Sequence, residues 1–200
     1  MELAIPARAR IAPVPRWFDD FTSKQSPMRE RTTRLVLAGA IAAATSLAGY
    51  AAAESMIGRV APDCELALRG EKSTGAIQHY RGSVVYVDFW ASWCAPCLLS
   101  FPFMNELQKD FGAKGLKVLA VNMDRKPTDA ARFLSRHPAD FQVALGDNEA
   151  CARRFALEAM PTSYLVDRKG TIRRIHPGFR PGEEATLRAW VSQALSEPES

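Results

Sequence analysis

The longest apolar runs in the chain predict two buried strands separated by a helix. Val84–Trp90 is rich in β-branched and aromatic residues, which is typical of a strand buried on both faces. Residues 116–123 have the same character. Between them, residues 98–111 have the pattern of a helix, although Pro102 must remove one backbone hydrogen bond and kink its axis. A strand–helix–strand unit is therefore the predicted centre of the fold.

Shorter patterns on either side add further strands and helices, which indicates an α/β protein. Upstream, residues 64–68 predict an edge strand and residues 76–80 a second short strand. Downstream, the patterns predict strands over 141–145, 163–166 and 171–176. They also predict a helix over 129–136 with Thr128 as N-cap and a helix from Asn148. The last element is an amphipathic helix over 181–195, with one apolar face formed by Leu187, Trp190, Val191 and Leu195.

The first 53 residues differ in composition from the rest. Residues 1–27 contain several prolines and lack periodicity, so they are an extension without predicted structure. They are either a cytoplasmic tail or a segment that is not translated, because the true start codon lies further downstream. A basic segment from Met28 precedes the apolar residues 35–53, which end in an A-x-A cleavage pattern as in a secretory signal. This segment is also long enough for a tilted membrane anchor. Its two glycines, hydroxyl residues and weakly hydrophobic alanines favour the cleaved signal. Both alternatives export residues 54–200.

Composition and charge support one globular domain and exclude a nucleic-acid binder. A hydrophobic share of 47% in 200 residues is enough for a packed core. The net charge of +4 comes mostly from the N-terminal segment, because residues 54–200 contain 19 Lys and Arg against 18 Asp and Glu. A nearly neutral domain lacks the basic surface that nucleic acid requires.

Two cysteines stand where the first buried strand gives way to the helix. Unpaired backbone N–H groups and the helix dipole stabilise a thiolate at a helix N-terminus, which lowers the pKa of Cys94. Cys97 follows three residues later and can close a disulfide with it. The alternative for a CxxC motif is half of a zinc site. That site needs a second ligand pair, and the other cysteines and the histidines are isolated: Cys64, Cys151, His79, His137 and His176.

The motif and its surroundings resemble the thioredoxin superfamily, and WASWCAPC with its flanks is most similar to the periplasmic TlpA-like disulfide reductases. The resemblance covers residues 58–195. It rests on Asp88, Phe89, Trp90, Ala91, Trp93, Cys94, Pro96, Cys97 and Pro102. It implies a thioredoxin-like fold with a central mixed β-sheet, an N-terminal β-hairpin and a TlpA-type insertion over residues 127–157. Peroxiredoxins share the Ala61-Pro62-Asp63 segment, but their nucleophile is a lone cysteine preceded by Pro and Thr. That pattern is absent from this sequence, which argues against a peroxidase.

The resemblance implies a role for each cysteine and for Asp88. Cys94 is the expected nucleophile and Cys97 the resolving cysteine, rather than a structural partner that keeps the disulfide closed. An aspartate at the position of Asp88 serves the second cysteine as proton acceptor, and burial would raise its pKa. A structural aspartate at the strand end is the alternative. TlpA-like proteins commonly have Asn at this position and Glu where this chain has Ser100.

Three further residues are expected to bind substrate. The resemblance makes Met160–Pro161 the cis-proline position of the superfamily, next to the cysteines, where extended backbone pairs with a substrate strand. Trp93 is expected to present an apolar surface beside Cys94, whereas alternation places Trp90 in the core.

The remaining cysteines, Cys64 and Cys151, leave two alternatives open. In an exported chain they can form a structural disulfide, and buried free thiols are equally ordinary. The sequence does not show whether their Cα atoms lie within about 7 Å, the limit for bridging.

The favoured function is a periplasmic protein-disulfide reductase that needs no cofactor beyond its dithiol and works as a monomer. Disulfide-containing exported proteins are the expected substrates, and a membrane thiol reductase is the expected electron donor. No His or Arg lies between Cys94 and Cys97 to make the first thiol unusually acidic, which favours a reducing potential. The alternative is a copper-site or cytochrome c assembly thioredoxin, for which Met104 and Met160 are the candidate soft ligands.

Overall fold

The computed structural model describes residues 56–72 and 74–198. The predicted extension and the signal or anchor segment lie outside these residues. None of the helices in the described ranges is long and apolar enough to cross a membrane.

A seven-stranded mixed sheet forms the centre of the domain. Its strands are β1 (Glu65–Leu68), β2 (Thr74–Ala76), β3 (Val84–Trp90), β4 (Leu116–Asn122), β5 (Gln142–Leu145), β6 (Thr162–Val166) and β7 (Ile172–Pro177). They lie in the order β2-β1-β5-β4-β3-β6-β7. β3, β4 and β5 are parallel to one another, and the other pairs are antiparallel. This is the predicted α/β arrangement with its N-terminal hairpin.

In the part of the chain that the structure describes, four α-helices accompany the sheet. They are α1 (Ala95–Phe111), α2 (Pro127–Arg136), α3 (Glu149–Arg154) and α4 (Glu184–Ser196). The segment from α2 through β5 to α3 is the predicted insertion, and it adds β5 to the sheet beside β4. Pro102 lies inside α1, as the sequence indicates.

The central strand β3 supplies side chains to both core layers, because successive residues of a strand point to opposite faces. Tyr86 and Trp90 belong to the layer that contains both cysteines of the motif and the buried sides of α1, α2 and α4. Val87 and Phe89 belong to the opposite layer, which contains α3 and the N-terminal segment. All seven residues of β3 are buried, which explains its unbroken apolar character.

Two predictions for the segment before β3 are wrong. β1 is not at the edge, because Ala67 pairs with Leu145 of β5 and β2 is the outer strand. Residues 77–80 form a 3-10 turn instead of a strand, with Ile77 buried and the side-chain amide of Gln78 donating to the Ala61 carbonyl at 2.8 Å.

Helix α2 begins before the predicted cap. Its N-cap is Lys126 rather than Thr128, and Pro127 occupies the first turn. Proline suits this position because its φ is already helical and its missing N–H would have no partner there.

Candidate active site

The end of β3 and the start of α1 place the two motif cysteines together. Cys94 is the N-cap of α1, and the backbone N–H of Cys97 donates to Cys94 Sγ at 3.3 Å. The two residues form a disulfide with Cα atoms 5.3 Å apart. Cys94 is 6% exposed and Cys97 is fully buried, so a substrate sulfur can reach only Cys94.

Asp88 lies on the face of β3 that carries Tyr86 and Trp90, which is the face covered by α1 and the cysteines. It is 1% exposed. Its Oδ1 accepts a hydrogen bond from the Ser163 hydroxyl at 2.7 Å, and Ser163 Oγ in turn accepts one from the Tyr86 hydroxyl at 2.8 Å. Asp88 Oδ2 is buried without a hydrogen-bond partner.

Burial controls the charge of this carboxyl group. Loss of hydration raises the pKa of Asp88 to about 7, and the hydrogen bond from Ser163 opposes that rise. A carboxyl group with this pKa gives up and takes a proton near neutral pH, which is what a general base needs. Asp88 is thus a buried residue within β3, and its role as proton acceptor stays a prediction.

A second buried carboxylate anchors the loop between β3 and α1. Asp124, which follows β4, accepts hydrogen bonds from the backbone N–H of Ser92 at 3.0 Å and from its hydroxyl at 2.9 Å. The side-chain amide of Asn122 donates to the same carboxylate at 2.8 Å. These bonds fix the segment two residues before Cys94. The Ser92–Asp124 pair is not among the residues predicted from the sequence, and its local signal is an acidic residue shortly after the buried strand β4.

The structure shows where each predicted substrate-binding residue lies. The Met160–Pro161 bond is cis, as expected, and Pro161 is buried. Met160 is half-buried and packs against the core layer that includes Cys94 and Cys97. Trp93 is 69% exposed, whereas Trp90 is fully buried against Phe101 and Phe133. The prediction that the two tryptophans differ in exposure is confirmed.

The other two cysteines pair with each other. Cys64 and Cys151 form a disulfide with Cα atoms 5.4 Å apart, which settles the alternative left open by the sequence. Both are nearly buried. The bond joins the segment before β1 to α3, and Arg154 of that helix also donates to the Asp63 carbonyl at 2.7 Å.

For the alternative of a copper-site assembly protein, the structure explains one of the two candidate methionine ligands by packing. Met104 is fully buried in the aromatic core beneath α1, where packing accounts for it. Within the described residues, no three His, Cys, Asp or Glu side chains are grouped so as to hold a metal ion.

The Redoxin family model matches residues 56–190, which cover the sheet, α1 to α3, the cysteine pair and most of α4. The chain belongs to the Redoxin family. Structures solved at low sequence identity show the same fold: a thioredoxin candidate from Neisseria meningitidis aligns with this Redoxin-family chain at a TM-score of 0.61 and 23% identity, covering 70% of this chain and 91% of that one.

Of three relatives with higher identity, two have a thiol–disulfide activity in their names. Thiol-disulfide oxidoreductase ResA of Geobacillus thermodenitrificans is 29% identical over 164 residues, or 80% of this chain and 93% of that protein. Thioredoxin-like protein YneN of Bacillus subtilis is 35% identical over 131 residues, or 64% of this chain and 75% of that protein. A thiol:disulfide interchange protein (DsbE) candidate from Chlorobium tepidum aligns at a TM-score of 0.67 and 44% identity, covering 70% of this chain and 98% of that one.

The relatives and the geometry agree on the chemistry. A disulfide at the N-terminus of α1, with its first cysteine slightly more accessible than its second, suits thiol–disulfide exchange. This Redoxin-family chain is a thiol–disulfide oxidoreductase, and hence a redox enzyme.

Proposed function

We propose that the chain is an exported protein-disulfide reductase of the periplasm. The observation that carries this proposal is the setting of Cys94: its sulfur receives one backbone hydrogen bond at the start of α1, and the first turn of that helix contains no charged residue. Strong oxidants need an over-stabilised first thiolate. Here only the helix terminus stabilises the thiolate, so the dithiol should give electrons to a substrate rather than take them.

The reaction begins with the reduced enzyme. The Cys94 thiolate attacks one sulfur of a substrate disulfide, forms a mixed disulfide and releases the other substrate sulfur as a thiolate. Cys97 then loses its proton and attacks Cys94 Sγ, which breaks the mixed disulfide and frees the second substrate thiolate. Two electrons pass to the substrate, and the enzyme is left with the Cys94–Cys97 disulfide seen in the structure.

Asp88 is the proposed acceptor of the Cys97 proton. Cys97 is fully buried, so its thiol has no direct contact with water from which to lose the proton. Asp88 is buried on the same face of β3, and its Oδ2 has no other hydrogen bond to give up. Its pKa of about 7 makes it a base matched to neutral pH.

The surface around Cys94 fits an extended protein segment. Trp93 offers an exposed apolar ring, and Leu98 and Leu99 of α1 are also exposed. Met160 and Pro161 lead into β6 and would supply the extended backbone that pairs with a substrate strand. Disulfide-containing exported proteins are therefore the proposed substrates. A reductant in an oxidising compartment must be recharged, so a membrane thiol reductase is the proposed electron donor.

The redox potential tests the direction of the reaction. Equilibration with glutathione in the Cys64→Ala/Cys151→Ala variant isolates the Cys94–Cys97 pair. We expect a value near that of thioredoxin, about −270 mV. A value near that of DsbA, about −120 mV, would make the protein an oxidase and overturn the reductase proposal.

The role of Asp88 is tested by stopped-flow kinetics of the Asp88→Asn variant. Because the amide cannot take a proton, release of the second substrate thiol should slow by at least about 100-fold, the lower end of the range for general-base catalysis. Formation of the mixed disulfide by Cys94 should be nearly unchanged. An unaltered rate and pH profile of the second step would return Asp88 to a structural role.

A further inference from the structure

The Ser163 hydroxyl group donates a hydrogen bond to one oxygen of the Asp88 carboxyl group, and the other oxygen has no partner. Asp88 and Ser163 are directly opposite each other in the pairing of β3 with β6, so their side chains share one face of the sheet. Tyr86 stands two residues earlier on β3 and points to that same face. The three side chains form a buried chain of hydrogen bonds from Tyr86 through Ser163 to Asp88 Oδ1.

The direction of this chain is set by Tyr86. Burial, together with the nearby charge of Asp88, raises the pKa of the Tyr86 phenol well above its ordinary value, so this group keeps its proton and acts as a donor. Ser163 Oγ accepts the hydrogen bond from the Tyr86 hydroxyl and directs its own hydrogen toward Asp88 Oδ1. Oδ2 is equally buried and has no partner.

We propose that Ser163, oriented by Tyr86, is a positioning residue that keeps Oδ1 of Asp88 as a hydrogen-bond acceptor and leaves Oδ2 to take the proton of Cys97. The inference rests on the proposed role of Asp88 and deepens it. The proton passes from Cys97 Sγ to Oδ2, and the sulfur electron pair that it leaves forms the bond to Cys94. Ser163 donates to Oδ1 before and after the transfer, so no hydroxyl group has to rotate.

The other ionisable groups near this chain are few. From α1, the layer over Asp88 contributes Cys94 and Cys97. From β7, His176 is the cross-strand partner of Ser163, and its Nε2 lies 3.4 Å from Glu183. Among the described residues, His176 and Glu183 are therefore the neighbouring ionisable pair outside the cysteines that a control variant has to address.

The test is the pH dependence of the second step in Ser163→Ala. Loss of a hydrogen bond to the ionised carboxylate should move the midpoint upward by about one pH unit. The carboxyl ¹³C signal of Asp88, followed by NMR in the reduced protein, should show the same shift. Ser163→Thr keeps the hydroxyl group and should restore the wild-type midpoint. Tyr86→Phe removes only the orienting donor and should give a smaller upward shift.

Two controls isolate the effect. In the His176→Asn background the shift caused by Ser163→Ala should persist in full, because it does not arise from the histidine. In the Asp88→Asn background Ser163→Ala should cause no further change in the pH profile.

The outcomes separate this inference from the proposed function. If the NMR titration of Asp88 is the same in wild type and Ser163→Ala, the positioning role of Ser163 is wrong even when Asp88→Asn slows the second step. If the carboxyl signal shifts but the rate profile does not, Ser163 tunes a group that does not take the proton, and the inference is again wrong. If Asp88→Asn itself leaves the second step unaltered, the proposed function of Asp88 fails first.

Discussion

Asp88 makes the stability of the folded protein depend on pH. Its pKa is about 7 in the folded state against an ordinary value of 3.8. Between these values the folded state binds more protons than the unfolded state, so the free energy of unfolding falls as pH rises. Above pH 7 the full cost of the buried charge is present, on the order of 4 kcal/mol. Asp88→Asn should therefore be more stable than wild type by a few kcal/mol at pH 8 and nearly equal to it at pH 4.

Urea unfolding from pH 4 to pH 8.5 measures this difference. Asp124→Asn is the matched control, because Asp124 is also a buried carboxylate but accepts hydrogen bonds from Ser92 and Asn122. Loss of those bonds should destabilise the protein at neutral pH. If Asp88→Asn is no more stable than wild type at pH 8, the buried charge of Asp88 does not destabilise the folded protein.

The residues of the site differ in how far the sequence reveals them. Cys94 and Cys97 are visible because their chemistry depends on a local feature, a strand followed by a helix N-terminus. Asp88 is visible because a carboxyl group inside an apolar run is costly without a reason. Ser163 is 75 positions from Asp88, and only the register of β3 against β6 brings the two together. No local pattern in the sequence carries that register.

At the scale of elements, the disulfide between Cys64 and Cys151 fixes the insertion to the N-terminal segment. It closes a loop with a sequence separation of 87 residues. The chain-entropy account assigns about 4.6 kcal/mol to a loop of that length. Cys64→Ala/Cys151→Ala should thus unfold at a clearly lower urea concentration than wild type.

The comparison variant for this experiment is Cys94→Ala/Cys97→Ala. Its cysteines are separated by only three residues, so the same account predicts a much smaller loss. Equal losses in the two variants would contradict the entropic explanation. Met160 follows α3 closely in the chain. The KM of Cys64→Ala/Cys151→Ala for a protein disulfide should therefore also be compared with that of wild type.

Predictions of elements succeed where the local pattern decides and fail where distant contacts decide. The strands β3 and β4 and the helix α1 follow from long apolar runs and a helix start. The pattern around β1 predicts an edge strand, but β1 pairs with β5 across 78 positions, from Ala67 to Leu145, which a hairpin pattern does not show. For the same reason the sequence does not decide the pairing of Cys64 with Cys151.

For the whole molecule, the direction of electron flow and the stability of the fold are linked. A strong oxidant such as DsbA has a reduced form that is more stable than its disulfide form. A reductant has the opposite order, because the folded structure favours the disulfide. The two potentials that separate the alternatives, about −270 and −120 mV, differ by about 7 kcal/mol for a two-electron couple. That difference is large enough to appear in an unfolding curve.

We therefore expect oxidised protein to unfold at a higher urea concentration than reduced protein. The measurement belongs in the Cys64→Ala/Cys151→Ala background, where Cys94 and Cys97 are the only thiols and one redox couple is followed. Both samples are unfolded at the same pH, one after oxidation and one with the dithiol kept reduced. The helix terminus at Cys94 stabilises the thiolate by one backbone hydrogen bond, which is too little to reverse the order. A reduced form more stable than the oxidised form would contradict the proposed reductase and indicate that the protein donates its disulfide to substrates.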